Sequence, residues 1–144
     1  MQRRLMIIKA LMHQPDILLL DEPTVGLDAG ARRKIWDLLR TLNEGGLTVF
    51  LTTHYLEEAQ ALCRRVGLID KGKLMKLDNP PSIIGEIGNY VLEYFEDGHT
   101  CQCFFDKKEE AVKAAGKIRG NFQVREANLE DAFLRLTNRG LDGA

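Results

Sequence analysis

Hydrophobic positions near the amino terminus recur at helical spacing. Leu5, Ile8 and Met12 share one face and Ala10 and Leu11 are good helix formers, which predicts a helix over 2–12 that Pro15 stops. The rhythm then changes. Ile17-Leu18-Leu19-Leu20 is a continuous apolar run ending on Asp21-Glu22-Pro23. A run of this length suits a strand buried on both faces of a parallel sheet, and Pro23, which has no N–H, ends it at Glu22. Helical spacing returns from Ala31 to Leu42, with Ile35, Leu38, Leu39 and Leu42 on one face, Asp28 as the N-cap and Gly45-Gly46 as the stop. Thr48 to Thr52 is a second β-rich run. Strand, helix and strand at this spacing form a βαβ unit, expected to be parallel and right-handed. A short helix over about 56–63 follows, with Glu57 and Glu58 in its first turn, where the helix dipole favours acidic groups.

Residues 65–70 and 73–77 read as two strands around the turn Asp70-Lys71-Gly72. Asn79-Pro80-Pro81 is the clearest boundary signal and divides the chain into 1–79 and 80–144. Pro81 can open a short helix through Ile84. Beyond it, 90–95 and 100–105 flank Glu96-Asp97-Gly98-His99, a hairpin signal. Asp106 followed by Glu109 comes close to a capping box for a helix reaching about Ile118. Residues 123–127 read as a strand, and Asn128 caps a last helix with Leu129, Ala132, Phe133 and Leu136 at core spacing. The expected architecture is α/β in the first part, followed by a small α+β module in the order ββαβα. No internal repeat or low-complexity segment interrupts it.

Composition narrows the picture. A chain of 144 residues makes one ordinary domain, or one small domain with an appendage. Its 44% hydrophobic and 28% charged residues are ordinary for a globular protein, and a net charge of −1 gives no footprint for nucleic acid. No apolar run approaches the roughly 20 residues of a spanning helix, and Met1-Gln2-Arg3-Arg4-Leu5-Met6 is not a signal peptide. A membrane role is therefore expected only through a partner. Three cysteines, Cys63, Cys101 and Cys103, without framework spacing fit a reducing cytosol. His99, Cys101 and Cys103 alternate and would share one face of a strand, but a closed zinc site needs a fourth ligand, so an ordinary hairpin is the expectation.

Asp21 and Glu22 end a central strand, on the sheet edge where ligands bind in open α/β folds. Neighbouring strand residues point to opposite faces, so one carboxylate can face a metal ion and the other an attacking water. That division suits phosphoryl transfer. Ile17 to Pro23 resembles the Walker B segment of the ABC (ATP-binding cassette) family. Gly26-Leu27-Asp28 resembles its D-loop, and Leu51-Thr52-Thr53-His54 closes on what resembles its switch histidine. Met1-Gln2-Arg3-Arg4-Leu5 resembles the residues that follow the family's Leu-Ser-Gly-Gly signature. The order and spacing of the four together are specific, and the resemblance covers residues 1 to about 78. Asn128 to Leu136 resembles the close of carboxyl-terminal extensions in drug-export and sodium-export ABC ATPases.

The resemblance implies that residues 1–79 are the carboxyl-terminal part of an ABC nucleotide-binding domain, a portion of a P-loop NTPase parallel sheet with flanking helices, and that 80–144 are an accessory module. Asp21 would hold Mg²⁺ through water. Glu22 would be the general base that polarises the attacking water, and His54 would reach the γ-phosphate of ATP. Asp28 would contact the opposing subunit of an ATP-bound dimer and couple the two sites. The implied partners are a second ATP-binding subunit and a transmembrane permease, with the protein peripheral at the cytoplasmic face of the membrane. One departure is large: no G-x-x-x-x-G-K-[ST] stretch exists in the sequence. The family's adenine-stacking residue and glutamine loop, which precede the signature, are missing too. The expectation is a carboxyl-terminal portion of a longer ATPase, inactive alone, whose Walker B strand lacks its P-loop neighbour. A truncated, non-catalytic module acting in regulation or subunit interaction is the alternative. A soluble ABC ATPase of translation or DNA repair fits the exporter-like ending less well.

Overall fold

The computed structural model describes residues 2–137, with side chains from Leu5 onward. Contacts group the chain into two compact units, Met1–Leu62 and Cys63–Ala144. Asn79 caps a short helix that Pro80 and Pro81 open.

The first unit contains α1 (Gln2–Leu11), β1 (Ile17–Asp21), α2 (Ala29–Glu44), β2 (Thr48–Thr52) and α3 (Leu56–Leu62). Asp28 caps α2 as expected, its carboxylate accepting the Ala31 amide at 2.8 Å. The two strands are parallel and in register from Ile17 opposite Thr48 to Asp21 opposite Thr52. Their carboxyl ends therefore finish side by side. The core of the unit is Ile7, Leu18, Ile35 and Leu39, which joins α1 and α2 to one face of β1.

The expectation that β1 is buried on both faces does not hold. Leu18 is 4% exposed, but Ile17 and Leu19 on the opposite face are 59% and 71% exposed. Phe50, the register partner of Leu19, is also open. Among the described residues β2 is the only ladder partner of β1, and a groove of about 340 Å³ bounded by Met6, Ala10, Leu19 and Asp21 runs beside the strand. An apolar strand with a free edge is a template for pairing with another chain, and each large side chain left in water forgoes about 1.5–3 kcal/mol. Self-association of the isolated chain is the expected result, and Leu19→Lys should reduce it. Size-exclusion chromatography with light scattering is the check; a monodisperse wild-type monomer with a cooperative melt would contradict it.

The second unit contains β3 (Val66–Asp70), β4 (Lys73–Asp78), α4 (Pro80–Gly85), β5 (Tyr90–Glu96), β6 (His99–Phe105), α5 (Lys108–Ala115), β7 (Phe122–Glu126) and α6 (Leu129–Leu136). β3 and β4 form an antiparallel hairpin, and β6-β5-β7 a three-stranded antiparallel sheet. Both hairpins turn on two left-handed residues, Lys71-Gly72 and Asp97-Gly98, as the twist of the flanking strands favours. Val91 and Leu92 are neighbours on central strand β5, so they face opposite ways, and both are buried. α5 packs on this sheet, and α4 packs on α6.

The capping box expected at Asp106 does not form. α5 begins at Lys108, so Lys107 is its N-cap and makes no side-chain cap bond. Asp106 then lies one residue too early to reach the free amides of the first turn. The helix proper stops at Ala115, and the chain to Ile118 continues only as turn hydrogen bonds. A capping box does exist on α6. Asn128 Oδ1 accepts the Asp131 amide at 3.0 Å, and Asp131 returns a carboxylate oxygen to the Asn128 amide at 2.9 Å.

Candidate functional site

The parallel register puts the end of β1 against the end of β2. Asp21 closes β1 beside Thr52, whose hydroxyl donates to Asp21 Oδ1. The Glu22 amide still donates to the Thr52 carbonyl, at 2.9 Å, but the residue itself has left the strand at φ +46°. A non-glycine residue in this region costs on the order of 1 kcal/mol. Pro23 follows and removes the next ladder donor. Glu22 was expected as the last strand residue. The left-handed turn, rather than strand alternation, separates its carboxylate from that of Asp21.

That turn brings Glu22 to His54. Glu22 Oε1 lies 3.0 Å from His54 Nδ1, with 32 residues of sequence between them. A carboxylate can only accept, so Nδ1–H donates and Nε2 is left for another partner. The two side chains are 45% and 55% exposed and therefore accessible to a ligand. Asp21, Glu22, Thr52 and His54 thus form one cluster where two parallel strands end.

Asp28 is not part of it. Gly26 at φ +77° provides the turn after Pro23, and the Asp28 carboxylate is directed to its own helix at Ala31. Met1 of the segment resembling the post-signature residues lies outside the described residues, as do the side chains of Gln2, Arg3 and Arg4.

Five residues near the cluster escaped the sequence reading. Thr52 holds Asp21. The Tyr55 ring lies 4.2 Å from the His54 ring, tilted by 45°, and the Arg32 guanidinium sits 4.6 Å over Tyr55. Trp36 Nε1 donates to Glu58 Oε1 at 2.9 Å, and Glu58 is fully buried. Glu57 and Glu58 looked equivalent as first-turn acids; Glu57 remains in solvent and Glu58 lies in the interior. The available signal was spacing. Arg32 and Trp36 are four apart on α2, and Tyr55 and Glu58 three apart around the start of α3, so each pair shares a helix face.

The donor set suits Mg²⁺. Asp21 and Thr52 offer hard oxygen atoms at an exposed strand end, and Mg²⁺ is held by one or two carboxylates together with phosphates and waters rather than by an all-protein cage. No group of three or more His, Cys, Asp or Glu side chains placed to hold a metal ion occurs among the described residues. Cys101 is buried opposite Tyr94 on the neighbouring strand.

The chain is similar to known proteins over most of its length. The family model described as "AAA domain, putative AbiEii toxin, Type IV TA system" matches residues 2–58. The chain is 39% identical to a Nod factor export ATP-binding protein I of Burkholderia thailandensis over 96% of its own length and 53% of that protein. It is 40% identical to the proteins of the same name from Paraburkholderia xenovorans and Cupriavidus metallidurans, with the same coverage. The chain thus spans about half the length of the curated relatives it matches. A dimeric ATP-binding cassette structure in a post-hydrolysis state, bound to ADP and phosphate, is 35% identical with a TM-score of 0.50, over 54% of this chain and 34% of that one. The chain is thus similar along nearly its whole length, at about 39% identity, to ATP-binding proteins named for Nod factor export, and its α/β fold resembles part of an ATP-binding cassette of the ABC family.

Proposed function

We propose that this chain is the carboxyl-terminal portion of the ATP-hydrolysing subunit of an ABC exporter. The observation that carries the reading is the Glu22–His54 pair beside Asp21 at the ends of two parallel strands. In this reading residues 1–79 belong to the nucleotide-binding domain and 80–144 form its accessory module. ATP is the substrate, and Asp21, with Thr52 behind it, would hold Mg²⁺, which neutralises charge on the phosphates when bound.

Glu22 acts as the general base, drawing a proton from the attacking water on the carboxylate oxygen not engaged by His54. Histidine 54 serves the γ-phosphate. With Nδ1–H given to Glu22, a hydrogen bond from Nε2 to a phosphate oxygen needs a second proton on the ring; otherwise the ring must leave Glu22 for the phosphate. Asp28 contacts the opposing subunit of the dimer. In this reading transport itself falls to a separate transmembrane permease, through which the subunit sits at the cytoplasmic face of the membrane; no helix among the described residues is long and apolar enough to cross a membrane.

A second reading, a non-catalytic module for regulation or subunit interaction, is favoured by one observation: the 144 residues contain no phosphate-cradling G-x-x-x-x-G-K-[ST]. Calorimetric titration with Mg·ATP separates the two. The chain alone is expected to show no micromolar binding, and the chain mixed with a polypeptide supplying the P-loop half of a relative is expected to bind. No binding in either sample defeats the nucleotide reading. Micromolar binding by the chain alone defeats the assignment of half a site.

A further inference from the structure

His54 lies in the short connection between β2 and α3, with its ring more than half exposed. A single hydrogen bond at such a surface does not fix an imidazole. We propose that Tyr55 is a positioning residue for His54, itself held by Arg32 over its ring and by the buried Trp36–Glu58 hydrogen bond. The proposal rests on the reading of His54 as a phosphate ligand, and it assigns work to residues of α2 and α3 outside the Asp21, Glu22, Thr52 and His54 cluster.

Tyr55 is fixed from three directions. Its amide donates to Thr53 Oγ1 at 3.0 Å, and its carbonyl accepts the Glu58 amide at 3.0 Å, so its backbone forms the start of α3. Its ring packs against that of His54 and also carries the Arg32 guanidinium. The guanidinium is held by the ring more than by an ion pair. Its nearest acid, Glu57, is 3.9 Å away and 77% exposed, a geometry worth little in water, and Arg32 Nε is buried without a hydrogen-bond partner. A cation over an aromatic face is attracted to the ring quadrupole, more so when desolvated.

One helical turn further along α2, Trp36 reaches Glu58. Arg32 and Trp36 thus grip Tyr55 and Glu58 as two parallel contacts between one face of α2 and one face of α3. α2 is in turn anchored on β1 through Ile35 and Leu39, which pack with Leu18. The clamp therefore ties the ring beside His54 to the same strand that ends on Asp21. With Tyr55 immobile, the His54 ring keeps Nδ1 toward Glu22 and Nε2 outward.

The test uses the 144-residue chain without nucleotide, so its outcome is independent of ATP binding. Nitrogen-15 NMR of the imidazoles reports the tautomer of each of the three histidines, and His54→Gln assigns the signal. In the wild type and in Tyr55→Phe, which keeps the ring, His54 should be protonated mainly at Nδ1. In Tyr55→Ala and Arg32→Gln the ratio of Nδ1–H to Nε2–H should fall about two- to fivefold, the scale of one cation–π contact, with circular dichroism unchanged. If Tyr55→Ala does not fold, Arg32→Gln decides. An unchanged His54 tautomer in a folded variant overturns the proposal, and so does a wild type with no preference for Nδ1. A positive tautomer result with no Mg·ATP binding in the reconstituted pair would instead leave the positioning intact and remove the phosphate role.

Discussion

Glu22→Gln, placed in this chain and combined with a P-loop-bearing half, is expected to lower ATP turnover by about 10²- to 10⁴-fold, the range for loss of a positioned general base, while leaving Mg·ATP affinity close to wild type. Glutamine matches glutamate in shape. Its amide oxygen can still accept Nδ1–H of His54, whose ring lies 3.0 Å from the native carboxylate, and the backbone turn at φ +46° is no harder for it. What disappears is basicity. Phosphate release measured beside nucleotide binding separates the effects. Turnover near wild type would show that the proposed base is not Glu22, whereas joint loss of binding and turnover would mean that the side chain organises the site rather than taking a proton. Glu22→Ala is less informative, because it also releases His54.

Asp131→Ala is expected to destabilise the second unit by about 3–4 kcal/mol, combining a broken ion pair with a lost cap. Asp131 is 4% exposed. Its two oxygens take Arg125 Nη1 and Nη2 at 2.7 and 2.8 Å, and one of them also accepts the Asn128 amide. Removing the carboxylate strands a guanidinium that then has, among the described residues, only Glu93, at 3.4 Å, as counter-charge. Because Arg125 keeps about a quarter of its side chain in water, the loss should fall toward the low end for a buried pair. It is still large against the 5–15 kcal/mol of a typical domain. Urea denaturation followed by circular dichroism should show a lower midpoint with unchanged slope. Asp131→Asn, which can keep the cap oxygen and loses the charge, should fall between. The hydrogen bond to Asp131 raises the Arg125 pKa above its ordinary value. A raised cationic pKa gives stability that is complete below the unfolded value and lost only as pH rises through the folded one. Arg125 therefore adds no pH dependence except under strongly alkaline conditions.

The site was only partly legible beforehand. Asp21, Glu22 and His54 stood out because each closes an apolar run, and the parallel pairing of those runs brings them together. Thr52, Tyr55, Arg32, Trp36 and Glu58 did not, because a polar residue that packs on a distant helix looks in sequence like one that faces water. Trp36 and Glu58 are 22 residues apart, and only the packing of α3 on α2 makes the glutamate an interior group. Asp106 illustrates the opposite error. Its capping pattern was plausible, but a one-residue shift of the helix start removed it.

The amino-acid sequence by itself determined what is governed by neighbours along the chain. Turns need left-handed residues and found them at Lys71-Gly72 and Asp97-Gly98. Helix starts need a side-chain acceptor and have it at Asp28, Asn79 and Asn128. Apolar spacing marked the buried faces of α2 and α6, whereas in the helix predicted over 2–12 the marked positions Leu5, Ile8 and Met12 are exposed and Ile7 is the buried one. The tertiary structure alone decided what depends on groups far apart in sequence: the one-sided burial of β1, the departure of Glu22 from its strand toward His54, and the burial of Glu58 against Trp36. Propensity and capping act over three or four residues, whereas burial and ion pairing are settled only when separate elements meet and exclude water between them.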